Sequence, residues 1–576
     1  MAPHIRSVEG ITFEPHGEVF PSPLDWRDHF MYQLMLDRFD DDTEHNKLYH
    51  PESAGKTGRN PEDGKKFQGG NLKGVTRRLD YIRKLGCTAI WITPPFKQRQ
   101  DDQGSYHGYA IQDFLSIDPR FGTLEDLQEL TRAAHKLGMY VILDVVINHT
   151  ADVFRYTQDD TPYRKDERYD FKAWHKISEG EELTGDDAVW PIELQDPDAF
   201  KRKGSIRDLG GCDEDEAVNG DFFSLKELDS NNPRVIDTLI KCYKYWIASC
   251  DVDGFRIDTV RNCEPRFMQR FCRGIHEYSQ RIGKTNFLIF GEIIGDDDLL
   301  HRYIGNNGPA RGVDDKYPLL DAALDFPLYG VLDEVIKGQK PCSDLRNRYE
   351  YFQKYYREQG AAARYYVTFI DNHDQSHRPG RRFLHGANDW RLGVLGIGYL
   401  LCNMGIPCIY YGTEQGFDSA GDNDSYVREC MFGGTWGAFD STGRHFFNPK
   451  NPLFQNIARI ADVRAREPAL RYGRQYFRDI SDNGDDFVSP TEKQCTLAFS
   501  RVFDDEEIVV VMNLSDTDRT QYIAIDRTFL PPGVTVVNLL DETQSIKVEE
   551  RGEGEHVRTV IRVDLGARSM VILKRR

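Results

Sequence analysis

No stretch of this 576-residue chain approaches the ~20 consecutive apolar residues of a membrane span, so a helical membrane protein is excluded. The opening residues Met1-Ala-Pro-His-Ile-Arg-Ser-Val-Glu-Gly lack the apolar core of a secretory leader. The expected location is therefore cytoplasmic, or secreted if a leader has been removed. Basic charge is in deficit: 74 Lys and Arg stand against 93 Asp and Glu, a net charge of -19. That balance removes the basic face a broad nucleic-acid footprint needs, and neither nucleic acid nor membrane is an expected partner. The 11 cysteines include no C-x-x-C pair and no Cys/His cluster at zinc spacing. Several of them (Cys87, Cys250, Cys402, Cys408) sit in or beside apolar runs, so buried reduced thiols are expected. Internal repeats and low-complexity tracts are missing as well. What remains is a folded protein whose 39% hydrophobic and 12% aromatic content can fill a large core.

From about Asp25 short apolar runs alternate with amphipathic stretches. Phe30-Met-Tyr-Gln-Leu-Met-Leu reads as a strand closed by Asp37-Arg38-Phe39. Leu72, Val75, Leu79, Ile82 and Leu85 have helical spacing, and Gly86 follows as a C-cap. Thr88-Ala-Ile-Trp-Ile-Thr is a strand stopped by Pro94-Pro95, residues 124–137 a helix, and Met139 to Val146 a strand. Strand and helix in alternation mark parallel β/α units. The rhythm breaks after His149, and some eighty polar, aromatic and acidic residues follow, too many for a loop and so an inserted subdomain. It resumes with a helix over Pro233 to Ala248. Beyond Tyr472 short alternating strands (496–502, 508–513, 535–540, 557–563, 569–574) between Asp, Gly and Pro turns predict a terminal all-β domain, a sandwich. The expected division is an N-terminal extension at 1–24 without a place, a barrel over 25–148 and 230–467, an insert at 149–229 and the β-sandwich at 468–576.

Four apolar runs end in chemistry-bearing side chains, in a fixed order: Asp144-Val-Val-Ile-Asn148-His149, Gly254-Phe-Arg256-Ile-Asp258, Phe290-Gly-Glu292 and Phe369-Ile-Asp-Asn-His373-Asp374. Each reads as a buried parallel strand whose polar groups emerge where it leaves the core. Together they bring three carboxylates, an Arg and two His to one end of a barrel. Retaining glycoside cleavage needs a carboxylate nucleophile and a protonated carboxylic acid about 5 Å apart, and Asp258 and Glu292 suit those roles. Arg256, two residues before Asp258, shares its face and is expected to keep Asp258 ionised. Glu292 follows the apolar Phe287-Leu-Ile-Phe-Gly, where burial favours its protonated form. His373 and Asp374 can hold ring hydroxyls. Taken singly the readings are blander: Asp144 is more often a structural carboxylate holding Arg256 than a catalyst, and a lone His149 is as often a packing residue.

At these residues the chain resembles the α-amylase family, glycoside hydrolase family 13. Gly69-Gly-Asn-Leu-Lys-Gly, Leu79-Asp-Tyr-Ile and Thr88-Ala-Ile-Trp-Ile-Thr-Pro-Pro resemble the family's opening, and the likeness runs from about Trp26 to the C-terminus. The resemblance implies a (β/α)8 TIM barrel with a domain inserted after the third strand and a C-terminal β-sandwich. It implies Asp258 as nucleophile, Glu292 as general acid/base and Asp374 as transition-state stabiliser. Arg256, His149 and His373 would contact the same sugar, and Asp144 lies in the first of the four motifs beside them. Tyr109 matches an aromatic platform and Asp424 with Arg428 a pair gripping the next sugar outward. Asn148 matches a calcium ligand, with Asp221 a second candidate; no organic cofactor is implied. One departure concerns the acceptor side, where many relatives carry Lys-His: this chain reads Thr259-Val260-Arg261-Asn262, and Arg261 keeps the charge in a different geometry.

Three functions are compatible with these residues. The first is hydrolysis of α-1,4 linkages in starch, glycogen or maltooligosaccharides. The second is transfer or isomerisation of α-glucosyl units on the same scaffold. The third, a non-catalytic partner subunit, fits poorly because all three carboxylates are present.

Overall fold

A computed structural model describes residues 4–15, 17–44, 47–50, 58–208, 211–304, 319–352, 362–374 and 381–576. Eight parallel strands close into a barrel: β1 (Met31–Leu34), β2 (Ala89–Ile92), β3 (Tyr140–Val145), β4 (Gly254–Ile257), β5 (Leu288–Gly291), β6 (Ala322–Leu324), β7 (Tyr366–Thr368) and β8 (Ile406–Tyr410), with β8 pairing back onto β1. Every one of these strands is buried on both faces, as parallel barrel strands are. Met31, Ala89, Trp91, Ile142, Phe290 and Ile406 alternate inward and fill the barrel as one apolar cluster. The intervening residues, such as Tyr32, Ile90, Val141 and Ile257, face the helices and belong to the larger core.

Local signals explain the surrounding helices. Helix α1 (Leu72–Lys84) begins at Asn71, whose side chain accepts from the Gly74 amide. Helix α2 (Leu124–Lys136) opens on a capping box between Thr123 and Asp126. Helix α3 (Pro233–Cys250) starts with Pro at its first position and ends on Asp251 in the left-handed conformation.

The excursion after β3 holds two-stranded ladders and 3-10 turns rather than long elements. One ladder pairs Lys226–Glu227 with His149–Thr150, so the returning end of the excursion lies against the residues that follow β3. At the C-terminus a six-stranded antiparallel sheet begins with the edge strand β9 (Arg474–Phe477) beside β10 (Thr496–Phe503) and β11 (Glu506–Asn513). A four-stranded sheet faces it, and Val509, Val511, Ile523 and Ile561 from the two sheets share one core, the arrangement of a sandwich.

The N-terminal stretch, left without a place by sequence, packs on the barrel. Phe20 stacks on His135 at 4.1 Å, Tyr278 donates to the Phe13 carbonyl, and His4 meets the buried Asp113 at 2.9 Å. Residues 1–3 lie outside the described residues. The expectation of reduced thiols throughout is corrected at one pair: Cys342 and Cys495 form a disulfide across 153 residues of sequence. Such a separation leaves no spacing signal to read. Cys87, Cys242, Cys250, Cys263, Cys272, Cys402, Cys408 and Cys430 are buried thiols outside that disulfide. No described helix is long and apolar enough to cross a membrane.

Candidate active site

Strand register assembles the centre of the site. Arg256 is the direct neighbour of Asp144 across the β3–β4 pair and of Phe290 across β4–β5. Asp144 and Arg256 therefore emerge side by side at the carboxyl end of the barrel, and Asp258 and Glu292 follow one step further out. The guanidinium of Arg256 is fully buried and meets three carboxylates: Nη1 contacts Asp144 at 2.9 Å and Asp258 at 2.7 Å, while Nη2 contacts Glu292 at 2.9 Å. Trp91 donates to Asp144 at 3.0 Å, and Tyr109 donates to the same oxygen at 2.7 Å.

One cation serving three acids cannot hold each of them ionised. Burial raises Asp258 to about 6 despite the attraction of Arg256. It raises Asp144 to about 6 as well, and Glu292 to about 8. Arg256 favours the ionised form of Asp258, but desolvation outweighs a guanidinium whose charge is divided. The order is still chemically useful, since near pH 7 Asp258 is mostly ionised and Glu292 mostly protonated. A hydrogen bond between the two carboxyls favours the ionised form of Asp258.

Thr259 fixes the turn between them. It stands at φ +45°, a left-handed conformation uncommon for a β-branched residue, and from there its N–H donates to Glu292 Oε2 at 3.1 Å. The next amide, Val260, donates to the Glu292 carbonyl. Neither composition nor periodicity marks Thr259 for this place.

A chain of hydrogen bonds sets the state of His373. The single proton of the Tyr109 hydroxyl goes to Asp144, so the contact of 2.8 Å between that hydroxyl and His373 Nε2 requires Nε2 to donate. Nδ1 is then an acceptor, and Gln33 Nε2 donates to it at 2.6 Å. His373 is buried and its pKa lies well below the usual histidine range, lowered by burial and by Arg256 and Arg428. Gln33 was not singled out by sequence. Its position on β1, one residue after the outward-facing Tyr32, is the one signal that points it inward.

Arg428 is also committed within the protein. It bonds Asp374 at 3.0 Å and the His373 carbonyl at 2.9 Å, with Asp424 at 3.4 Å, so the structure joins it to Asp374 rather than to Asp424 alone. His149 is buried, contacts the Tyr109 carbonyl at 3.2 Å, stacks on Phe222 and is lowered by burial to about 4. Arg261 is not brought to this cluster. It is exposed on the 3-10 turn Val260–Asn262, and its electrical neighbours are Cys212 and Tyr303. Asn262 instead donates to the Ala217 carbonyl of the excursion at 2.6 Å.

The two candidate calcium ligands do not form a calcium site. Among the described residues no three His, Cys, Asp or Glu side chains are grouped to hold a metal. Asn148 donates its amide to Glu227 at 2.7 Å, and Asp221 accepts from Tyr156 at 2.7 Å and from the Glu227 amide. Positive charge comes from two buried lysines. Lys201 donates to the Val218 carbonyl and is the main charge offsetting the burial of Glu227. Lys226 reaches Asp152 at 3.0 Å and Asp221 at 3.9 Å. One orphaned acceptor, Glu227 Oε1, falls short of the six to eight oxygens that calcium takes. Chelation is accordingly expected to leave the thermal melting curve unchanged. Lys201→Met is expected to lower stability by about 3 kcal/mol, since it strands Glu227, and differential scanning calorimetry reads both.

A family model described as the alpha-amylase catalytic domain matches residues 33–431. The chain is 31% identical over 510 residues to a beta/alpha-amylase of Paenibacillus polymyxa, covering 87% of this chain and 34% of that protein. It is 31% identical over 475 residues to an alpha-amylase of Streptomyces lividans, covering 74% and 49% respectively. The chain thus spans between a third and a half of the length of these relatives. A solved structure of alpha-amylase from Geobacillus thermoleovorans, complexed with acarbose, superimposes with a TM-score of 0.68 at 28% identity, covering 96% of this chain and 99% of that one.

Proposed function

The chain belongs to the α-amylase family, and on that premise we propose that it is a retaining glycosidase cleaving α-1,4-glucosidic bonds of starch, glycogen or maltooligosaccharides. The observation that carries the proposal is the shared guanidinium. Two nitrogens of Arg256 hold Asp258 and Glu292, one mostly ionised and one mostly protonated near neutral pH. Carboxylates held by one guanidinium suit the ~5 Å separation of retention better than the ~6.5–9.5 Å of inversion, which must admit a water between them.

In this reading Asp258 attacks the anomeric carbon while Glu292 gives its proton to the departing glycosidic oxygen. A covalent glucosyl–Asp258 ester results. Glu292, now ionised, takes a proton from water, whose oxygen displaces Asp258 and restores the α configuration. Asp374, oriented by Arg428, and His373, held by Gln33, face the ring hydroxyls, and Tyr109 and His149 line the same sugar. Asp144 acts through Arg256 and Tyr109 as a positioning residue. Asp424 accepts from the next sugar outward. The junction between barrel and excursion takes its cations from Lys201 and Lys226 rather than from calcium. The barrel is assigned 25–148 and 230–467, the insert 149–229 and the β-sandwich 468–576.

A second reading, transfer to a sugar acceptor, is favoured by one observation. The acceptor side is built from Asn262 bonded to the excursion and an exposed Arg261, instead of a Lys-His pair. Time courses on maltopentaose with and without excess glucose separate the two. Shorter products unaffected by glucose are expected; longer or newly linked products would make the chain a transferase.

A further inference from the structure

The N-terminal stretch, which the sequence leaves without a place, runs between opposite ends of the barrel. One end is anchored where β4 and β5 begin. There the Phe20 amide donates to Asp251 Oδ2 at 2.9 Å, the fully buried Lys284 donates to the Phe20 carbonyl, and Asn286 donates to the Pro23 carbonyl at 2.8 Å. Along the flank Val8 is buried in the large core, with Ile11 and Phe13 packed against it. A terminal segment is ordered only where such contacts tie it down.

Residues 4–8 grip the excursion that follows β3. His4 Nε2 donates to the buried Asp113 at 2.9 Å, and its ring meets Trp190 edge-on at 4.8 Å. The guanidinium of Arg6 lies 5.7 Å from the same indole, and the Arg6 carbonyl accepts from the Ile192 amide at 2.8 Å. Glu193 is 8% exposed, and among the described residues its carboxylate accepts only from the Ser7 hydroxyl and from the Val8 amide at 3.1 Å. A nearly buried carboxylate whose donors all come from one segment makes that segment costly to remove.

From this grip hydrogen bonds continue to the sugar-lining residues. The Trp190 amide donates to the Gln112 carbonyl at 2.9 Å, and the Phe114 amide donates to the Trp190 carbonyl at 3.1 Å. Both partners lie on the strand Ile111–Ile117, which follows β2. The Ile111 carbonyl accepts from the Ala151 amide at 2.8 Å. Tyr109 stands two residues before Ile111 and His149 two residues before Ala151, and the two meet at 3.2 Å through the Tyr109 carbonyl.

We propose that residues 4–8 are a positioning strap, which holds Trp190 and the strand Ile111–Ile117 so that Tyr109 and His149 lie against the bound sugar. The proposal rests on the glycosidase reading for what that wall touches. The strap reaches none of the reacting carboxylates, so its loss acts on sugar binding and not on the chemistry of Asp258 and Glu292.

Deleting residues 2–8 is expected to raise KM on maltopentaose about tenfold while kcat stays within about threefold. His4→Ala/Ser7→Ala should raise KM about threefold, whereas His4→Gln, which keeps a donor for Asp113, should stay near wild type. Hydrogen exchange at the Trp190 and Phe114 amides should quicken about tenfold in the deletion and stay unchanged in β4. If the deletion does not fold, the double substitution decides. An unchanged KM overturns the strap, and so does a fall in kcat with KM fixed. Quickened exchange in the deletion, beside a wild-type protein that never cleaves maltopentaose, overturns the catalytic reading and leaves the strap in place.

Discussion

Asp258→Asn is expected to lower kcat on maltopentaose by at least about 10⁴-fold, since no other described group stands where a nucleophile must. The same substitution should not cost stability. Burial holds the folded pKa of Asp258 near 6, above the ~3.9 of an unfolded aspartate, so the ionised group opposes folding at neutral pH. Its unfavourable contribution is absent below about pH 4 and reaches its full size, on the order of 3 kcal/mol, as pH rises through 6. An amide removes that opposition and leaves Arg256 paired with Asp144 and Glu292. The melting temperature at pH 7 should therefore hold or rise. Paired kcat and thermal-melt measurements read both effects; activity above a hundredth of wild type would remove Asp258 from the nucleophile's role.

The second large effect concerns Glu292. Turnover requires the Asp144–Asp258 cluster to have lost a proton and Glu292 to have kept one. The rate should thus rise through about pH 6 and fall through about pH 8, with a maximum near 7. Glu292→Gln should lower kcat on maltooligosaccharides about 10³-fold or more. A glucosyl fluoride needs no proton to leave, so the first displacement on that substrate should be far less affected. The variant should also lose the alkaline limb of the profile. A limb near pH 8 that persists in Glu292→Gln would assign that titration to another group.

The strands that carry the site were legible because each is a short β-branched run with a polar terminus, and barrel topology gathers such termini at one end. Their mutual electrostatics was not legible. The pairing of Asp258 with Arg256 two residues away suggested an ionised carboxyl but not that register also places Asp144 and Glu292 on the same guanidinium, a fact set by strand alignment and not by spacing. Gln33, Trp91 and Thr259 escaped for a related reason: each acts by a hydrogen bond to a residue distant in sequence, and each alone is an ordinary strand or turn residue. The lysines at the excursion were hidden among eighty residues without periodicity, and nothing local distinguishes Lys201 from a solvated lysine. Among the terminal strands, 496–502 and 508–513 are buried almost throughout instead of alternating, while Asp541–Lys547 is exposed along nearly its whole length and so has no apolar pattern to read.

The central claim is double displacement through Asp258. The most direct test is NMR of the first-formed product from maltopentaose, recorded before mutarotation. The account predicts the α anomer at the newly released reducing end. A β anomer would mean that water attacks the anomeric carbon directly, and would contradict it.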